Sequence, residues 1–211
     1  MQLCKPVDWI SEKKFVVDGL EFGSDLGSYK EVTTADRVVI LKDARLLRQY
    51  LDFLAPHATG NIFELGIWQG GSPLFYGLAT DARKVVALDI ANPAPPVLDE
   101  IIRRHGIDDK VKLHFGVSQD DRRAVREIIA GDLGDEPIDI VIDDASHQYG
   151  FTRRSFEIVF PRLRPGGFYI IEDWQWAHID SPVYQEGLNF GGEPALSNFI
   201  FELLIAYGGH P

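Results

Sequence analysis

The chain has 211 residues, of which 45% are hydrophobic and 25% are charged, and these proportions are typical of a globular protein with a substantial core. Acidic residues outnumber basic ones by 32 to 21, and the resulting formal net charge of −11 argues against nonspecific binding to nucleic acid. Cys4 is the only cysteine, which excludes an intrachain disulfide and a cysteine-based metal cluster. We expect a cytoplasmic protein with no membrane association, because the sequence has no long apolar run and no signal-like start.

The first 58 residues differ from the rest and are predicted to form an N-terminal arm followed by a helix. Residues 1–35 contain several glycines and no strong hydrophobic period, which predicts an irregular arm. Residues 36–54 carry apolar side chains at helical spacing, and they predict an amphipathic helix. The main domain is expected to occupy residues 59–211.

From residue 59 onward, short apolar runs alternate with helical stretches. The runs are rich in β-branched and aromatic residues, as in strands that are buried on both faces. They lie at 61–65, 84–88, 111–115, 138–142 and 167–171. Helices are predicted at 71–80, 97–105, 120–131, 149–162 and 194–207. Pro165, Gly166 and Gly167 are interpreted as a turn that ends one helix and starts the fifth strand. The alternation predicts an α/β fold with a doubly wound, mainly parallel sheet.

The charges are unevenly distributed along the chain. Arg164 is the last basic residue, and residues 165–211 carry six acidic side chains. This region is either a solvated acidic face or a surface that attracts cations and repels anions near a functional site. The sequence leaves both interpretations open.

Glycines and acids follow the predicted strands at the sheet edge where ligands bind in folds of this type. Glu64 and Gly66 end the first strand, and Ser72 follows a glycine-rich turn that would let a ligand approach the backbone closely. Asp89 ends the second strand, where a carboxylate can accept hydrogen bonds from both hydroxyls of a ribose. This pair of features would suit a dinucleotide or an S-adenosyl ligand. Trp68 takes the place of the second glycine of a dinucleotide fingerprint, which disfavours the dinucleotide.

A second group of polar residues follows the fourth and fifth strands. Asp144 and His147 come after one strand, and Glu172 and Asp173 come after its expected neighbour. Adjacent strands lie about 4.8 Å apart, so these side chains can converge on one point. Three carboxylates around an open site suit Mg²⁺, which prefers oxygen ligands, whereas zinc would call for thiolates or a histidine cluster.

These segments resemble known enzyme motifs. Glu64-x-Gly66 with the later Gly-Gly-Ser72 resembles motif I of class I S-adenosylmethionine (SAM) methyltransferases. The Asp-Asp-x-Ser-His147 and Glu-Asp173 motifs resemble the metal-dependent sugar O-methyltransferases of macrolide antibiotic biosynthesis and the related cephalosporin-hydroxylase-like family, over roughly residues 60–176. The resemblance implies a Rossmann-like methyltransferase fold with strand order 3-2-1-4-5, and it implies SAM and Mg²⁺ as cofactors.

The resemblance also assigns roles to individual residues. It implies that Asp144, Glu172 and Asp173 are metal ligands and that His147 is the general base. A further set of residues is predicted to hold SAM. They are Glu64, Gly66, Ser72, Asp89, Ser118, Gln119 and Asp143.

These observations predict a Mg-dependent O-methyltransferase that moves a methyl group from SAM to a hydroxyl of a sugar or a hydroxylated natural product. The metal would lower the pKa of an acceptor hydroxyl, and His147 would take its proton. Three carboxylates and one Mg²⁺ leave a formal charge of about −1 at the site. No basic residue after Arg164 offsets that charge, so the small-molecule acceptor is expected to be neutral or cationic.

Two other functions stay open for this sequence. One is an oxidoreductase or hydroxylase-like enzyme with a nucleotide cofactor. The absence of a two-histidine iron motif weighs against it. The other is a SAM-binding module without catalytic activity, although the complete carboxylate cluster weighs against that alternative.

The end of the predicted sheet departs from the family pattern. The usual methyltransferase sheet continues after its fifth strand with a two-strand hairpin, and no such strands are predicted here. An uncovered sheet edge invites pairing with another chain. We therefore expect the N-terminal arm or a second subunit to cover the fifth strand, which favours a homo-oligomer.

Overall fold

A five-stranded parallel sheet organises the computed structural model, which describes residues 5–24, 30–57, 60–188 and 190–208. Its strands are β5 (Asn61–Leu65), β6 (Lys84–Asp89), β7 (Val111–Phe115), β8 (Ile138–Asp143) and β9 (Leu163–Ile171). They are ordered β7-β6-β5-β8-β9, which corresponds to 3-2-1-4-5 in the numbering of the predicted strands. The predicted strand order is therefore confirmed.

Helices cover both faces of this sheet. They are α1 (Ala44–Leu54), α2 (Gly71–Ala79), α3 (Leu98–Arg104), α4 (Arg122–Leu133), α5 (Tyr149–Val159) and α6 (Ser197–Gly208). One hydrophobic cluster joins α1, α2 and α3 to the first face, and a second joins α4 and α5 to the other. The doubly wound α/β architecture is thus confirmed. No helix in the described part of the chain is long and apolar enough to span a bilayer.

The N-terminal region is a second sheet, so the prediction of an irregular arm over residues 1–35 is wrong for the residues that the structure describes. Its strands are β1 (Val7–Ser11), β2 (Lys14–Val17), β3 (Leu20–Ser24) and β4 (Arg37–Ile40). Phe15 and Phe22 stack at a centroid distance of 4.9 Å, and both meet the edge of Phe75 on α2. The strands have only four or five residues, which is too short for their alternating burial to stand out in the sequence.

The predicted helix over 36–54 is also corrected. Val38, Val39 and Ile40 form a buried strand that pairs in parallel with β3, and the helix begins only at Ala44. The Asp43 side chain accepts a hydrogen bond from the backbone N–H of Leu46 at 2.7 Å and caps the helix. The apolar run therefore divides at this cap into a strand and a shorter helix.

The fifth strand of the parallel sheet begins earlier than predicted. Leu163 already pairs with Ile138, so the Pro-Gly-Gly segment lies within β9 rather than before it. The pairing becomes irregular at this point, where a Cβ atom on Gly167 would lie 2.8 Å from the carbonyl oxygen of Asp139. Glycine permits this close approach and lets the strand continue through the irregularity.

β9 lies at the edge of the sheet, and no strand follows it among the described residues. The N-terminal region does not pair with this edge. Instead, Phe53 near the end of α1 and His57 just after it cover part of one face of β9. Their rings pack against Phe168 at centroid distances of 4.8 and 4.6 Å. A homo-oligomer that covers the edge stays a prediction.

The predicted domain boundary between residues 58 and 59 lies outside the described residues. The core nevertheless continues across it, because Phe15, Leu47 and Ile62 belong to one hydrophobic cluster. Residues before and after the boundary are therefore expected to unfold together.

Phe15→Ala should lower the free energy of unfolding by about 3–5 kcal/mol, because it removes a fully buried ring from this shared cluster. Urea denaturation followed by tryptophan fluorescence and by circular dichroism measures the change. Ile10→Ala on β1 is the control, since Ile10 is exposed and its truncation should cost less than about 0.5 kcal/mol. Two separate transitions in the native chain would contradict a shared core.

Candidate active site

The carboxyl ends of the parallel strands open into a crevice of about 1010 Å³. Nine of the eleven predicted site residues line it, whereas Glu64 and Asp143 do not. The lining residues are Gly66, Ser72, Asp89, Ser118, Gln119, Asp144, His147, Glu172 and Asp173. The structure thus places these nine residues around one crevice at the edge of the sheet, while their roles stay predictions.

The turn after β5 sits against the end of β8. Gly66 has a φ of +99°, and a Cβ atom there would lie 2.2 Å from the carbonyl oxygen of Asp144. The backbone N–H of Asp144 also donates to the carbonyl of Leu65 at 2.9 Å. Glycine is thus required where the two strand ends come together.

Asp89 holds the glycine turn in place. One of its carboxylate oxygens accepts hydrogen bonds from the backbone N–H groups of Ile67 and Trp68, each at 2.7 Å. The other accepts from the N–H of Ala91, also at 2.7 Å. Asp89 therefore orders the loop of the crevice itself, in addition to the predicted role toward a ribose.

Asp143 belongs to a buried hydrogen-bond network under the floor of the crevice. Its carboxylate accepts from Ser155 at 2.9 Å, Tyr169 at 3.2 Å and Gln119 at 3.2 Å. Burial raises the pKa of Asp143 to about 7, although the hydroxyl donors act in the opposite direction. Asp143 is only 2% exposed and does not line the crevice, so the structure favours a supporting role over direct contact with SAM.

Gln119 connects that network to the crevice. Its carbonyl oxygen accepts from the backbone N–H of Ser146 at 3.0 Å, while its amide donates to Asp143 and Ser155. Ser118 instead donates to Asp120 at 2.6 Å. Gln119 thereby fixes the loop after β7 against the loop after β8.

A buried lysine from the N-terminal region balances two of the acids. The Lys42 ammonium lies 2.5 Å from a carboxylate oxygen of Asp144 and 2.6 Å from one of Glu172. Tyr50 donates to the same Glu172 oxygen at 2.7 Å. No basic residue after Arg164 offsets the acids, but Lys42, which comes before the parallel sheet, supplies a compensating charge that the expected charge of about −1 did not include.

Neither Lys42 nor Tyr50 is predicted as a site residue from the sequence. A weak signal exists in hindsight, since Lys42 is a lone charged residue between an apolar run and a helix cap. Burial alone would lower the pKa of Lys42, but Asp144 and Glu172 raise it above its ordinary value. Burial and the charge of Glu172 both raise the pKa of Tyr50, so its hydroxyl stays protonated.

Asp144, His147 and Asp173 form the group that could hold a metal ion. One potential ligand atom from each lies within 4.8 Å of the others. The ring of His147 packs on Trp176 at a centroid distance of 4.2 Å, and its Nε2 lies 3.9 Å from Asp144. Its Nδ1 is buried and has no hydrogen-bond partner among the described residues.

Backbone strain concentrates at this crevice. Trp68, His147 and Asp173 have φ values of +47°, +57° and +52°, and all three line it. Left-handed conformations cost a non-glycine residue on the order of 1–3 kcal/mol each. Such strain often accompanies functional sites, because the surrounding fold must hold a side chain in one orientation.

Aromatic residues after β9 form one wall of the crevice. Trp176 meets Tyr184 at 5.4 Å and Phe190 at 6.2 Å, both edge-on. Of the other aromatic residues near the site, Tyr149 donates to Glu202 outside the crevice. Trp174 is 45% exposed and lines an adjoining groove of about 370 Å³ beside α1.

Comparison with known proteins places the chain among the methyltransferases. A family model described as "Methyltransferase domain" matches residues 63–174, which is more than half of the chain. The matched region begins within β5 and ends directly after Asp173, the last of the three residues that could hold a metal ion.

Curated relatives match shorter stretches. An 8-demethyl-8-(2-methoxy-alpha-L-rhamnosyl)-tetracenomycin-C 3'-O-methyltransferase of Streptomyces olivaceus is 46% identical over 71 residues, covering 33% of this chain and 17% of the relative. A demethylmacrocin O-methyltransferase of Streptomyces fradiae is 33% identical over 119 residues, covering 53% of this chain and 27% of the relative. The chain thus spans less than a third of the length of these relatives.

Solved structures share the fold. The MycE methyltransferase from the mycinamycin biosynthetic pathway, in complex with Mg, SAH and mycinamycin VI, aligns with a TM-score of 0.54 at 23% identity. The alignment covers 77% of this chain and 43% of MycE. The SAH-bound methyltransferase PaMTH1 of Podospora anserina aligns with a TM-score of 0.57 at 19% identity, covering 76% of this chain and 70% of that one. This similarity establishes the Rossmann-like methyltransferase fold.

Glu64→Gln should remove part of the pH dependence of stability. Burial raises the pKa of Glu64 to about 8, although the charge of Lys42 and a hydrogen bond from Ser72 act in the opposite direction. Between pH 4.5 and 8 the folded chain therefore keeps a proton that the unfolded chain releases, so the free energy of unfolding falls as pH rises. Each unit of raised pKa corresponds to about 1.4 kcal/mol.

Urea denaturation at pH 5, 6.5 and 8 measures this effect. Glu64→Gln should gain stability relative to the native chain as pH increases. The exposed Glu127→Gln on α4 serves as the control and should show no such trend. A stability difference for Glu64→Gln that does not change with pH would show that the carboxyl group is charged throughout.

Proposed function

The chain belongs to the methyltransferase-domain family, and from this premise we propose that it transfers a methyl group from SAM to a hydroxyl of a sugar or a hydroxylated natural product. A divalent metal, Mg²⁺ in the first instance, would act beside the acceptor. The observation that carries the proposal is the convergence of Asp144, His147 and Asp173 on one side of a crevice whose other side is the glycine turn.

The glycine-turn side would hold SAM. Gly66 lines the crevice where the end of β5 meets the carbonyl of Asp144, and Asp89 lies beside this turn at the end of β6. Ser72, Ser118 and Gln119 also line the crevice. Support for SAM also comes from the similarity to proteins whose structures contain SAH.

The other side has the donor chemistry that a hard divalent cation requires. Asp144 and Asp173 offer carboxylate oxygens, and Mg²⁺ in proteins is often held by one or two carboxylates while water and substrate complete its coordination. When bound, the metal would supply positive charge that lowers the pKa of a neighbouring hydroxyl. The Mg in the MycE complex supports this part of the proposal by analogy.

His147 would act as the general base. Its imidazole lies beside Asp144 and is held by packing against Trp176, so its position does not depend on the acceptor. It would take the acceptor's hydroxyl proton as the oxygen bonds to the methyl carbon and the carbon–sulfur bond of SAM breaks, leaving SAH. Proton transfer to a positioned base of this kind contributes roughly 10²–10⁴-fold to a rate.

The charge of the site favours a neutral acceptor. Lys42 reduces the formal charge of Asp144, Glu172 and Asp173 together from −3 to −2, so that a divalent cation brings the group to zero. Asp180, Glu186 and Glu193 do not line the crevice. A net charge of zero does not favour a cationic acceptor, and a neutral sugar hydroxyl meets no electrostatic penalty.

SAM should bind with an enthalpy measurable by isothermal titration, and NAD(P)H should not. Asp89→Ala should weaken SAM binding, because it removes charge-assisted hydrogen bonds worth about 1.5–3 kcal/mol each and loosens the turn. Asp121→Ala is the matched control, since Asp121 also accepts from two backbone N–H groups but does not line the crevice. Binding of NAD(P)H instead of SAM would favour the oxidoreductase alternative.

Turnover of a glycosylated polyketide acceptor should stop in excess chelator and return on addition of Mg²⁺. His147→Ala should lower the rate by roughly 10²–10⁴-fold without weakening SAM binding. His178→Ala is the control, because His178 contacts Ser197 and lies outside the crevice lining. Full activity in excess chelator would refute the metal-assisted mechanism, and SAM binding without turnover of any acceptor would favour the non-catalytic alternative.

A further inference from the structure

The groove of about 370 Å³ beside α1 joins the crevice and is not used by the proposed mechanism. We propose that this groove is a second subsite, which binds a neutral apolar group of the acceptor while the hydroxyl to be methylated lies in the crevice. This inference rests on the proposed function and specifies what the acceptor must carry besides its hydroxyl.

The groove and the crevice share part of their lining. Leu46, Glu172 and Asp173 belong to both. Asp173 is also one of the three residues that could hold a metal ion. A ligand that places a hydroxyl beside this group can therefore continue directly into the groove.

Away from this shared end the groove is mainly apolar. The helix α1 forms one wall with a single face, since its lining residues are three or four positions apart. They are Leu46, Gln49, Tyr50 and Phe53. The end of β9 and the residues after it form the opposite wall, which includes Ile170, Ile171 and Trp174. A ligand in the groove would thus lie between aliphatic and aromatic side chains.

The polar groups beside these walls already have partners. The Tyr50 hydroxyl donates to Glu172 at 2.7 Å, and the same carboxylate oxygen accepts from Lys42 at 2.6 Å. An apolar ligand therefore leaves no donor of Tyr50 unsatisfied when it displaces water. In the described part of the chain, none of the residues that line the groove is basic, so an anionic group would meet no compensating charge there.

Two aromatic side chains of the groove are exposed to solvent. Phe53 is 38% exposed, and Trp174 is 45% exposed. Covering such surface with an apolar group is favourable, because it removes apolar area of both partners from water. Phe53 also packs edge-on against Phe168 at 4.8 Å, which fixes its ring before any ligand binds. A surface that is already ordered loses little conformational entropy on binding.

The size of the groove favours a small molecule over a protein partner. Its volume lies in the range of roughly 300–1,000 Å³ that is typical of small-molecule sites. Between Leu46 and Phe53 the helix rises by about 10 Å. A stable protein–protein interface needs about 800 Å² from each partner, which a groove of this length does not provide alone. An apolar group of one or two rings fits these dimensions.

The test compares two probes that share one sugar and differ in the group attached to it, naphthyl β-glucoside and methyl β-glucoside. Nuclear magnetic resonance titration of the full chain, with SAH and Mg²⁺ present, gives both dissociation constants. The variants are F53A, Q49W and W174F, and F160A is the matched control. Phe160 is 48% exposed and packs on Phe156 at 4.5 Å, but it does not line the groove. Urea denaturation establishes that each variant is folded.

We expect the native chain to bind the naphthyl glucoside about tenfold or more tightly than the methyl glucoside, as for burial of one aromatic group. F53A should remove most of this preference by deleting a ring of the groove wall. Q49W should do the same by filling the groove, and Gln49 is exposed, so this substitution leaves the core intact. The indole N–H resonance of Trp174, identified by its loss in W174F, should shift with the naphthyl glucoside alone. F160A should keep the preference.

Three results would each overturn the inference: no detectable binding of the naphthyl glucoside, equal affinity for the two probes, or a preference that F53A and Q49W retain as F160A does. None of these measurements depends on methyl transfer. If the chain methylates a glycosylated acceptor but shows no such preference, the proposed function stands and the subsite is refuted. If the groove binds the naphthyl glucoside but no acceptor is methylated, the groove is confirmed as a site for apolar ligands and the proposed function fails.

Discussion

The site depends on one buried cation. Parallel strands bring Asp144 and Glu172 to the same edge of the sheet, and two carboxylates at such close quarters would repel each other strongly. The Lys42 ammonium lies between them and makes the cluster compatible with burial. Because Lys42 and Tyr50 come from the N-terminal region, the crevice is complete only when that region is packed on the parallel sheet. The short N-terminal strands thus contribute to the chemistry as well as to the core.

A second layer of buried polar groups supports the crevice from below. Glu64 and Asp143 lie on adjacent strands, yet neither lines the crevice. Asp143 connects β8, β9 and the loop after β7 through Ser155, Tyr169 and Gln119. Burial raises the pKa of Glu64, while the charge of Lys42 and a hydrogen bond from Ser72 act in the opposite direction. Glu64 and Asp143 resemble cofactor ligands because they lie near the ends of their strands. Their side chains instead support the floor of the site.

The parallel sheet and most of the crevice could be predicted from the sequence, because buried parallel strands leave continuous apolar runs and the residues after them must meet at one edge. The N-terminal sheet could not, since strands of four or five residues obtain their order from partners such as Phe75 on a distant helix. Lys42 was missed for a related reason. Its role follows from a contact across 102 residues with Asp144, and local sequence carries no record of that contact. The early start of β9 also follows from a distant contact. Leu163 pairs with Ile138 on β8, and the pairing continues past an irregularity at the Pro-Gly-Gly segment.

The left-handed backbone at Trp68, His147 and Asp173 has a consequence for how such a chain evolves. Glycine at any of these positions would relieve strain, and asparagine would relieve part of it. Selection for stability alone would therefore drift all three positions toward those residues. The side chains present instead are an indole, an imidazole and a carboxylate. At these three positions the residue type is therefore not the one that backbone strain alone would select, whereas at Gly66, with a φ of +99°, conformation and residue type agree.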